Sequence, residues 1–355
     1  MASPWMNEEL TLLADSVARF AQRELTPHAA RWNEQRRVDR SAWLKAGEAG
    51  ILCVSIPAEY GGGGGDRRYD VVVASELSKA GVGSGFGTGV GVSCALVSHY
   101  ILRYGAEAQK QAWLPAMASG KIIGAVAMTE PGAGSDLQNI RTTARRDGGD
   151  YVINGQKTFI SNGQNCDLVV VAAKTGSGGA KDVSLIVVEP AKATGFRRGR
   201  NLDKIGMHAQ DTSELFFDDV RVPAENLLGE SEGRGFVQLM QELAWERLTC
   251  ALGAVTSMER AVEVTADYVK QRSAFGKPLL SFQNTQFQLA ECKTKAVIAR
   301  SFTDDLMLKL MAGTLDPVTA AMAKWWTTQS LNEVADACLQ LHGGYGYMNE
   351  YPIAQ

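Results

Sequence analysis

Histidine is scarce in this sequence. Its four residues, His28, His99, His208 and His342, are isolated, and no two stand at metal-ligand spacing. The six cysteines (Cys53, Cys94, Cys166, Cys250, Cys292 and Cys338) are equally scattered, with no Cys-x-x-Cys pair. That pattern speaks against a zinc site and against a disulfide framework, and it suits reduced, buried thiols in a cytoplasmic protein. No metal is expected. No apolar run reads as reaching the roughly 18–20 residues of a membrane span. The N-terminal "MASPWMNEEL" has neither a basic-then-apolar signal nor an Arg/Ser-rich transit pattern. Basic runs are missing as well. The densest cluster, Phe196-Arg197-Arg198-Gly199-Arg200, holds three charges and reads as a solvated loop. With a net charge of −3, it gives no footing for nucleic acid as the main partner. The nucleotide signatures also fail. "GVGSGFGTGVG" at 81–91 never satisfies G-x-G-x-x-G and follows no strand, and neither a P-loop nor a G-x-S-x-G elbow is present.

What is there is an ordinary globular composition, 45% hydrophobic and 21% charged, in a chain of 355 residues. Helical periodicity fills the first third: "NEELTLLADSVARFAQRELTPHAARWNEQ" broken at Pro27, then "RSAWLKAGEAG", "YDVVVASELSKAG", "CALVSHYILRYG" and "AEAQKQAWLPAMASG". The five-glycine run Gly61–Gly65 separates two of these. Near residue 122 the character changes. "IIGAVAMTE", "YVINGQKTFIS", "DLVVVAAK", "VSLIVVEP" and "SELFFDDVRVP" are short and rich in β-branched or aromatic residues, with turn signals at Asp147-Gly148-Gly149-Asp150 and Gly176-Ser177-Gly178-Gly179. Long helices return at 235–271, about 282–312 and about 316–341. The expected class is α+β: an N-terminal helical domain over 1–121, a central antiparallel β domain over 122–230, and a C-terminal helical bundle over 231–355.

Two stretches carry chemistry. In "AMTEPGAGSD" (127–136) a strand runs out into a loop of small residues. Its free N–H groups and Thr and Ser hydroxyls suit an anion or the edge of a heterocycle, although Pro-Gly-Ala-Gly is also good turn chemistry on its own. In "LMQELAWERLTCALGA" (239–254) a mostly apolar helix carries Glu246. On a wheel of 100° per residue it falls between Glu242 on one side and Leu239, Leu243 and Cys250 on the other. A carboxylate at the edge of such a surface is costly to ionise.

"AMTEPGAGSD" resembles the signature of the acyl-CoA dehydrogenases, flavoenzymes with this α–β–α order. The segments "INGQKTFISNG" (153–163), "GMHAQDTSELFFDDVRVPAENLLGE" (206–230), "QRSAFGKPLLSFQ" (271–283) and "QLHGGYGYMNEYPIA" (340–354) agree in order, so the resemblance covers essentially the whole chain. "ELAWERL" and "LHGGYGYMNEYPIA" are most similar to the long-chain branch. The resemblance implies FAD bound non-covalently. Met128, Thr129, Gly134 and Ser135 would approach the flavin, with Ser135 also near the pantetheine arm of the substrate. Phe159, where many relatives carry Trp, would lie against one flavin face with Ile160 and Ser161 beside it, Ser161 near the hydride-accepting nitrogen. Arg272, Phe275, Gln283, Gln340, Gly343 and Gly344 match positions that hold the ADP half, largely of a neighbouring subunit's FAD. Arginine pairs well with pyrophosphate, and paired glycines admit close backbone approach; "HGGYGY" also reads as a helix C-cap and turn.

The reaction implied is removal of the α proton and the β hydride from a saturated acyl-CoA thioester, leaving a trans-2-enoyl product. Seating a carboxylate beside apolar surface makes it a stronger base. By resemblance Glu246 matches the base of the long-chain and isovaleryl branches, with Arg247 orienting the base region next to substrate. Glu242, one turn earlier, is a rival that could share the site; Glu350, in "NEYP", reads as structural. The sequence stops at "EYPIAQ", where the family continues through another helix and a Tyr-x-Gly-Thr turn that supplies flavin contacts and a donor to the thioester carbonyl. That final segment is expected to be missing. Gly83, Gly85, Gly87 and Gly91 are read as leaving either a deep acyl cavity or a place where packing collapses on them. The resemblance further implies electron-transfer flavoprotein as electron acceptor, fatty acid β-oxidation as setting, and a homotetramer built as a dimer of dimers. An acyl-carrier-protein dehydrogenase, a flavin oxidase or a non-catalytic partner subunit of such a complex stays open on the same fold.

Overall fold

The strand signals between residues 122 and 230 gather into one seven-stranded sheet in a computed structural model of the chain, which describes residues 3–176 and 180–354. The strands are β1 (Gly124–Ala127), β2 (Thr143–Asp147), β3 (Asp150–Ser161), β4 (Leu168–Lys174), β5 (Val183–Val188), β6 (Phe196–Asn201) and β7 (Thr212–Pro223). β3 is the hub, antiparallel to β2 on one side and β7 on the other, while β5 pairs antiparallel with β4 and β6 with β7. The antiparallel expectation has two departures, both at β4. β1 runs parallel to β4, from Gly124↔Leu168 to Ala127↔Val171, and β2 meets β4 in parallel at Thr143↔Lys174. A parallel neighbour needs a long crossover, and the β2–β3 hairpin lies within it. β5 is buried along its whole length and β4 along nearly all of it, so both read as continuous apolar runs. Ile153, Val169, Val171, Ile186, Leu215 and Val220 form the centre of the sheet core.

β2 ("TARRD") and β6 ("FRRGRN") carry no apolar signal. The basic cluster at 196–200 is therefore an edge strand and not a solvated loop. Arg200 pairs with Glu214 at 2.9 Å, Arg198 donates to the Gly163 and Cys166 carbonyls, and the Arg197 guanidinium lies 4.2 Å from the centre of the Phe216 ring. Charge on an edge strand discourages pairing with another chain. The hairpin turn at Asp147–Asp150 is present, with Gly148 at φ +63°. The turn read at Gly176–Gly179 lies, from Ser177 onward, outside the described residues.

Contacts divide the chain into two compact units. One is Leu13–Leu77 with Val82–Glu242; it holds the sheet. The chain opens on α1 (Glu8–Phe20), followed by α2 (Ala29–Gln35), α3 (Arg40–Glu48), α4 (Arg67–Lys79), α5 (Gly83–Tyr104) and α6 (Glu107–Ala118). The other unit contains Leu243–Gln355 with the short pieces Met1–Leu12 and Ser78–Gly81. Three long helices, α7 (Gly235–Gln271), α8 (Gln283–Met311) and α9 (Pro317–Leu341), supply its core through Val255, Met258, Ala296, Ala299, Val334 and Cys338. Asp316 caps α9 by accepting from the Thr319 N–H at 2.8 Å, and Pro317 fills the first helical position. The indole N–H of buried Trp5 donates to Asp304 at 2.8 Å and ties the N-terminal piece to α8.

α5 corrects two expectations. It begins at Gly83, eleven residues before the apolar pattern signals it, because its glycines buy close approach rather than helix propensity. A Cβ on Gly85 would stand 2.6 Å from the Ala209 Cβ, and one on Gly89 2.9 Å from the Asn162 Oδ1. The turns here widen, with the Gly87 N–H donating five residues back to Val82. At 22 residues, with a best window of mean hydropathy 1.3, α5 is also long and apolar enough to cross a membrane. That window is 67% buried inside the fold, as in the core helix of a globular protein.

The five-glycine run is not a slack linker. Gly62 through Gly65 donate to the carbonyls of Pro57, Cys53, Ile56 and Val54, folding the run onto residues 53–57. A Cβ on Gly62 would stand 2.2 Å from the Ile56 carbonyl oxygen, whereas one on Gly64 meets nothing nearer than 3.8 Å, though Gly64 sits at φ +73°. Gly62→Ala is expected to destabilise the protein by about 2–3 kcal/mol through overpacking, and Gly64→Ala by about 1–2 kcal/mol through its backbone alone. Urea unfolding of the two variants checks the order.

Candidate active site

β1 ends at Ala127, and the chain turns through the small-residue loop before re-entering the sheet as β2. The loop closes on itself where Glu130 and Ala133 exchange N–H···O bonds of 2.9 and 3.1 Å. Beneath it lies a buried ion pair. Lys157, a lysine at an inward position of β3, donates to the Met128 carbonyl at 2.9 Å and to Glu130 Oε1 at 2.8 Å. Glu130 also accepts from the N–H groups of Arg141 (2.6 Å) and Thr142 (2.9 Å). Burial pulls the Lys157 ammonium down to about 8 against the opposing pull of Glu130. Burial would raise the Glu130 carboxyl, but Lys157 and the two backbone donors hold it below its usual range. One further bond, Thr158 N–H to the Thr129 carbonyl at 2.9 Å, fastens β3 to the loop. The candidate segments 128–135 and 159–161 are thus brought together. Met128 and Thr129 are half-buried, and Gly134 and Ser135 are exposed, with no atom within 4 Å of where a Gly134 Cβ would stand.

A bulge between Lys157 and Ile160 breaks the alternation of β3. It puts Phe159 at φ +59° with its ring 66% exposed, while Ile160 turns its side chain into the sheet core and Ser161 is half-buried. Bulges and left-handed non-glycine residues of this kind mark places where a side chain is re-aimed. The next residue but two is the anchor. Asn162, at φ +63° and fully buried, donates to the Gly89 and Gly124 carbonyls at 3.0 Å each and accepts from Gln210 at 3.1 Å. Glu130, Lys157 and Asn162 are absent from the residues singled out in the sequence. Their only signal there is polarity within or just beyond the strand segments.

In the helical unit, Arg272, Gln340, Gly343 and Gly344 line one cavity of about 550 Å³ together with Tyr268, His342 and Tyr345. Buried His342 stacks on Tyr268 at 4.2 Å and bonds through Nδ1 to the Cys338 carbonyl, and the Arg272 guanidinium lies 5.7 Å from the Tyr345 ring centre. A Cβ on Gly343 or Gly344 would meet nothing within 4 Å, so both glycines leave the mouth open. Gly343 has φ +59°, which agrees with a helix C-terminal cap at the same place. Phe275 and Gln283 stand outside this lining. Phe275, at φ +53° and 95% exposed, packs edge-on to Phe282.

α7 separates the two rival carboxylates. Glu242 is buried in the sheet-containing unit. It accepts from Arg103 at 2.7 Å and from the Tyr104 hydroxyl at 3.4 Å, and it lies 3.6 Å from Arg67. A carboxylate whose lone pairs are taken by two guanidinium groups is held as a spectator anion. Glu246, one turn on and in the helical unit, is half-buried beside buried Trp245 and Leu248. Its carbonyl accepts from the Thr249 hydroxyl, and the Cys250 thiol is pushed up by burial and by the Glu246 charge, against Lys324. Arg247 is half-buried, and Glu350 is exposed. Of the helix glycines read as cavity makers, Gly85 and Gly87 are packed against Ala209 and Leu77; Gly91 alone of those for which neighbours are described faces open space. The cavity reading is corrected at those two positions because the neighbouring side chains have closed on them.

Behind Glu242 a polar cluster continues. Arg67 lies 3.7 Å from Asp70, the Ser55 hydroxyl bonds to Asp70 (2.6 Å) and to His99 Nε2 (2.8 Å), and Arg67 donates to the Ala95 carbonyl. All lie in the sheet-containing unit, and Asp70 is buried.

Residues 7–121, 125–220 and 233–355 match the family models described as acyl-CoA dehydrogenase N-terminal, middle and C-terminal domains. The mitochondrial long-chain specific acyl-CoA dehydrogenase of Sus scrofa is 46% identical over 352 residues, 98% of this chain and 81% of the relative. The isovaleryl-CoA dehydrogenase of Solanum tuberosum is 37% identical over 96% of this chain and 82% of its own. Among solved structures, the acyl-CoA dehydrogenase from Geobacillus kaustophilus superimposes with a TM-score of 0.96 at 47% identity, covering 99% of this chain and 92% of that one. A structure described as the electron transferring flavoprotein of Acidaminococcus fermentans gives 0.93 at 36% identity, covering 99% and 92%. A glutaryl-CoA dehydrogenase from Mycobacterium smegmatis in complex with FADH2 gives 0.90 at 30%, covering 98% and 88%.

Asp70 sets a pH dependence. Burial raises its carboxyl from 3.8 to about 6, against Arg67 and Ser55. Between those values the folded state holds a proton that the unfolded chain has lost, so this group's contribution to stability falls as pH rises from about 4 to 6 and is flat above. Asp70→Asn removes that slope. Its unfolding free energy relative to the parent is expected to shift in its favour by up to about 3 kcal/mol between pH 4 and pH 7. Parallel stability curves for the two proteins would count against a raised Asp70.

Proposed function

Since the chain belongs to the acyl-CoA dehydrogenase family, oxidoreductases acting on CH–CH bonds, we propose that it catalyses the FAD-dependent α,β-dehydrogenation of a saturated acyl-CoA to the trans-2-enoyl-CoA. The observation that carries the cofactor reading is the cavity that gathers Arg272, Gln340, Gly343 and Gly344. Its guanidinium matches a pyrophosphate, and its glycines leave a cradle that a Cβ would fill. Phe275 and Gln283 would hold the same ADP half, largely of a neighbouring subunit's FAD, from the adjoining turn, while Met128, Thr129, Gly134, Ser135, Phe159, Ile160 and Ser161 would hold the flavin half of this chain's own FAD, Ile160 through its backbone.

Bound FAD supplies the acceptor for the hydride that leaves the β carbon. Glu246 takes the α proton onto its carboxylate, and Arg247 orients that part of the substrate site. Glu246 suits the role better than Glu242 because Glu242 is already held by Arg103 and Arg67, while Glu246 lies half-buried beside the apolar Trp245 and Leu248. Ser135 contacts the pantetheine arm. The functional parts in this reading are the helical segment 1–121, the β segment 122–230 and the helical segment 231–355.

Electron-transfer flavoprotein is the proposed electron acceptor, supported by the Acidaminococcus fermentans neighbour. A homotetramer is proposed as well. Val318, Met322 and Trp325 stand exposed at i, i+4 and i+7 on α9, one apolar face suited to a second copy. A cytoplasmic, reducing setting is proposed from the six free cysteines, and fatty acid β-oxidation from the long-chain relatives.

The purified chain is expected to be yellow and to bleach when saturated acyl-CoAs of graded length are added without oxygen. Glu246→Gln is expected to keep FAD and to slow bleaching at least about 100-fold. A colourless protein, or one that no acyl-CoA bleaches, overturns the activity; a Glu246→Gln variant that bleaches at the parent rate removes Glu246 as the base.

A further inference from the structure

Lys157 and Glu130 are given no part in proton or hydride transfer, yet apart from the ion pair between them their side-chain hydrogen bonds end on main-chain groups of Met128, Arg141 and Thr142. The Lys157 side chain is wholly buried and Glu130 nearly so. Lys157 holds the Met128 carbonyl, and Glu130 holds the N–H groups of Arg141 and Thr142 at the entry to β2. The Glu130 main chain closes the tight turn with Ala133. Two residues after Lys157 the strand bulges and presents Phe159. One ion pair therefore fastens the exit of β1, the entry of β2 and the bulge of β3 at a single point.

Burial of two charges is a poor way to gain stability, because a well-packed apolar pair often does as well. It is a good way to specify one backbone arrangement, since only one geometry satisfies all the donors and acceptors. We propose that Lys157 and Glu130 are positioning residues that hold loop 128–135 and the bulge at Phe159 in the one relative placement that binds the isoalloxazine ring. This rests on the FAD reading above. Lys157 acts through the Met128 carbonyl and Glu130, and Glu130 through the two β2 amides; neither touches the cofactor.

The test compares the full chain with Lys157→Met and Glu130→Gln. FAD binding is read by quenching of flavin fluorescence, the environment of the ring by its long-wavelength absorption band, and the loop by hydrogen exchange of peptides spanning 128–135 in the FAD-free protein. Lys157→Met is expected to raise the FAD dissociation constant at least about tenfold, the equivalent of one charge-assisted hydrogen bond. It is also expected to shift the absorption band and to speed exchange across 128–135 while β4 and β5 exchange as in the parent. Glu130→Gln, which removes the charge and keeps one of the two acceptor oxygens that Arg141 on one side and Thr142 and Lys157 on the other require, is expected to act in the same direction, and it carries the test if Lys157→Met does not fold. Parent-like FAD affinity and band position in the folded variants overturn the proposal, as does exchange that rises equally throughout the sheet. A parent chain that takes up no FAD overturns the cofactor reading instead, and the exchange measurement then still judges whether the pair holds the loop.

Discussion

A charge taken out of water is tolerable only where another charge and several dipoles replace the water, and the sheet-containing unit is arranged around two such places. At one, the Lys157 ammonium and the Glu130 carboxylate share the carbonyl of Met128 and the amides of Arg141 and Thr142. At the other, Arg103 and Arg67 enclose Glu242. Each satisfies its ions by drawing in main-chain or side-chain groups from segments far apart in the chain. Such a demand fixes geometry more sharply than apolar packing, which tolerates rearrangement as long as volume is conserved. The same logic sorts the acidic side chains by what surrounds them. Glu130 and Glu242 are saturated with donors, Asp70 is pushed towards its neutral form, and Glu246 lies at the boundary of an apolar helix face. Three environments give a clamp, a pH-responsive acid and a candidate base from one functional group.

Much of this was legible in the residues, and the exceptions have definite causes. α7 runs over Gly235–Gln271 as its periodicity predicts, and β4 and β5 announce themselves as apolar runs. β2 and β6 were missed because edge and hairpin strands need not bury side chains, so Arg145, Arg146, Arg197 and Arg198 mask them. The start of α5 was missed because glycine signals a turn locally, whereas its value at Gly85 and Gly89 lies in what packs against it. The site divides in the same way. "AMTEPGAGSD" and "HGGYGY" can be read from a linear motif, and the cavity that collects Arg272, Gln340, Gly343 and Gly344 gathers residues 68 or more positions apart. The link from Lys157 to Glu130 spans 27 residues and two strands, and no local pattern encodes it. Glu242 and Glu246 are neighbours on a helical wheel, where the arginines that α4 and α5 bring to Glu242 cannot be seen.

Backbone strain falls at the two aromatic residues proposed to contact the cofactor. Phe159 and Phe275 both sit at positive φ with largely exposed rings. An L-residue in that region costs about 1–2 kcal/mol, which the surroundings must offset. Around Phe159 the offset is visible: Ile160 is sunk in the sheet core, and Asn162 is bonded to two carbonyls and to Gln210. The ring is held outward by what its neighbours hold inward.

α7 adds a constraint of a different kind. It runs unbroken from Gly235 to Gln271, so Glu246 and the residue before Arg272 ride on one rod with 25 steps between them. At 1.5 Å per step that is about 38 Å, and each step also turns the rod by about 100°. An insertion or deletion of a single residue in between would swing one end away from its partners while leaving the helix itself intact. The distance and the angle between Glu246 and the end of the helix are therefore set by a residue count, not by packing.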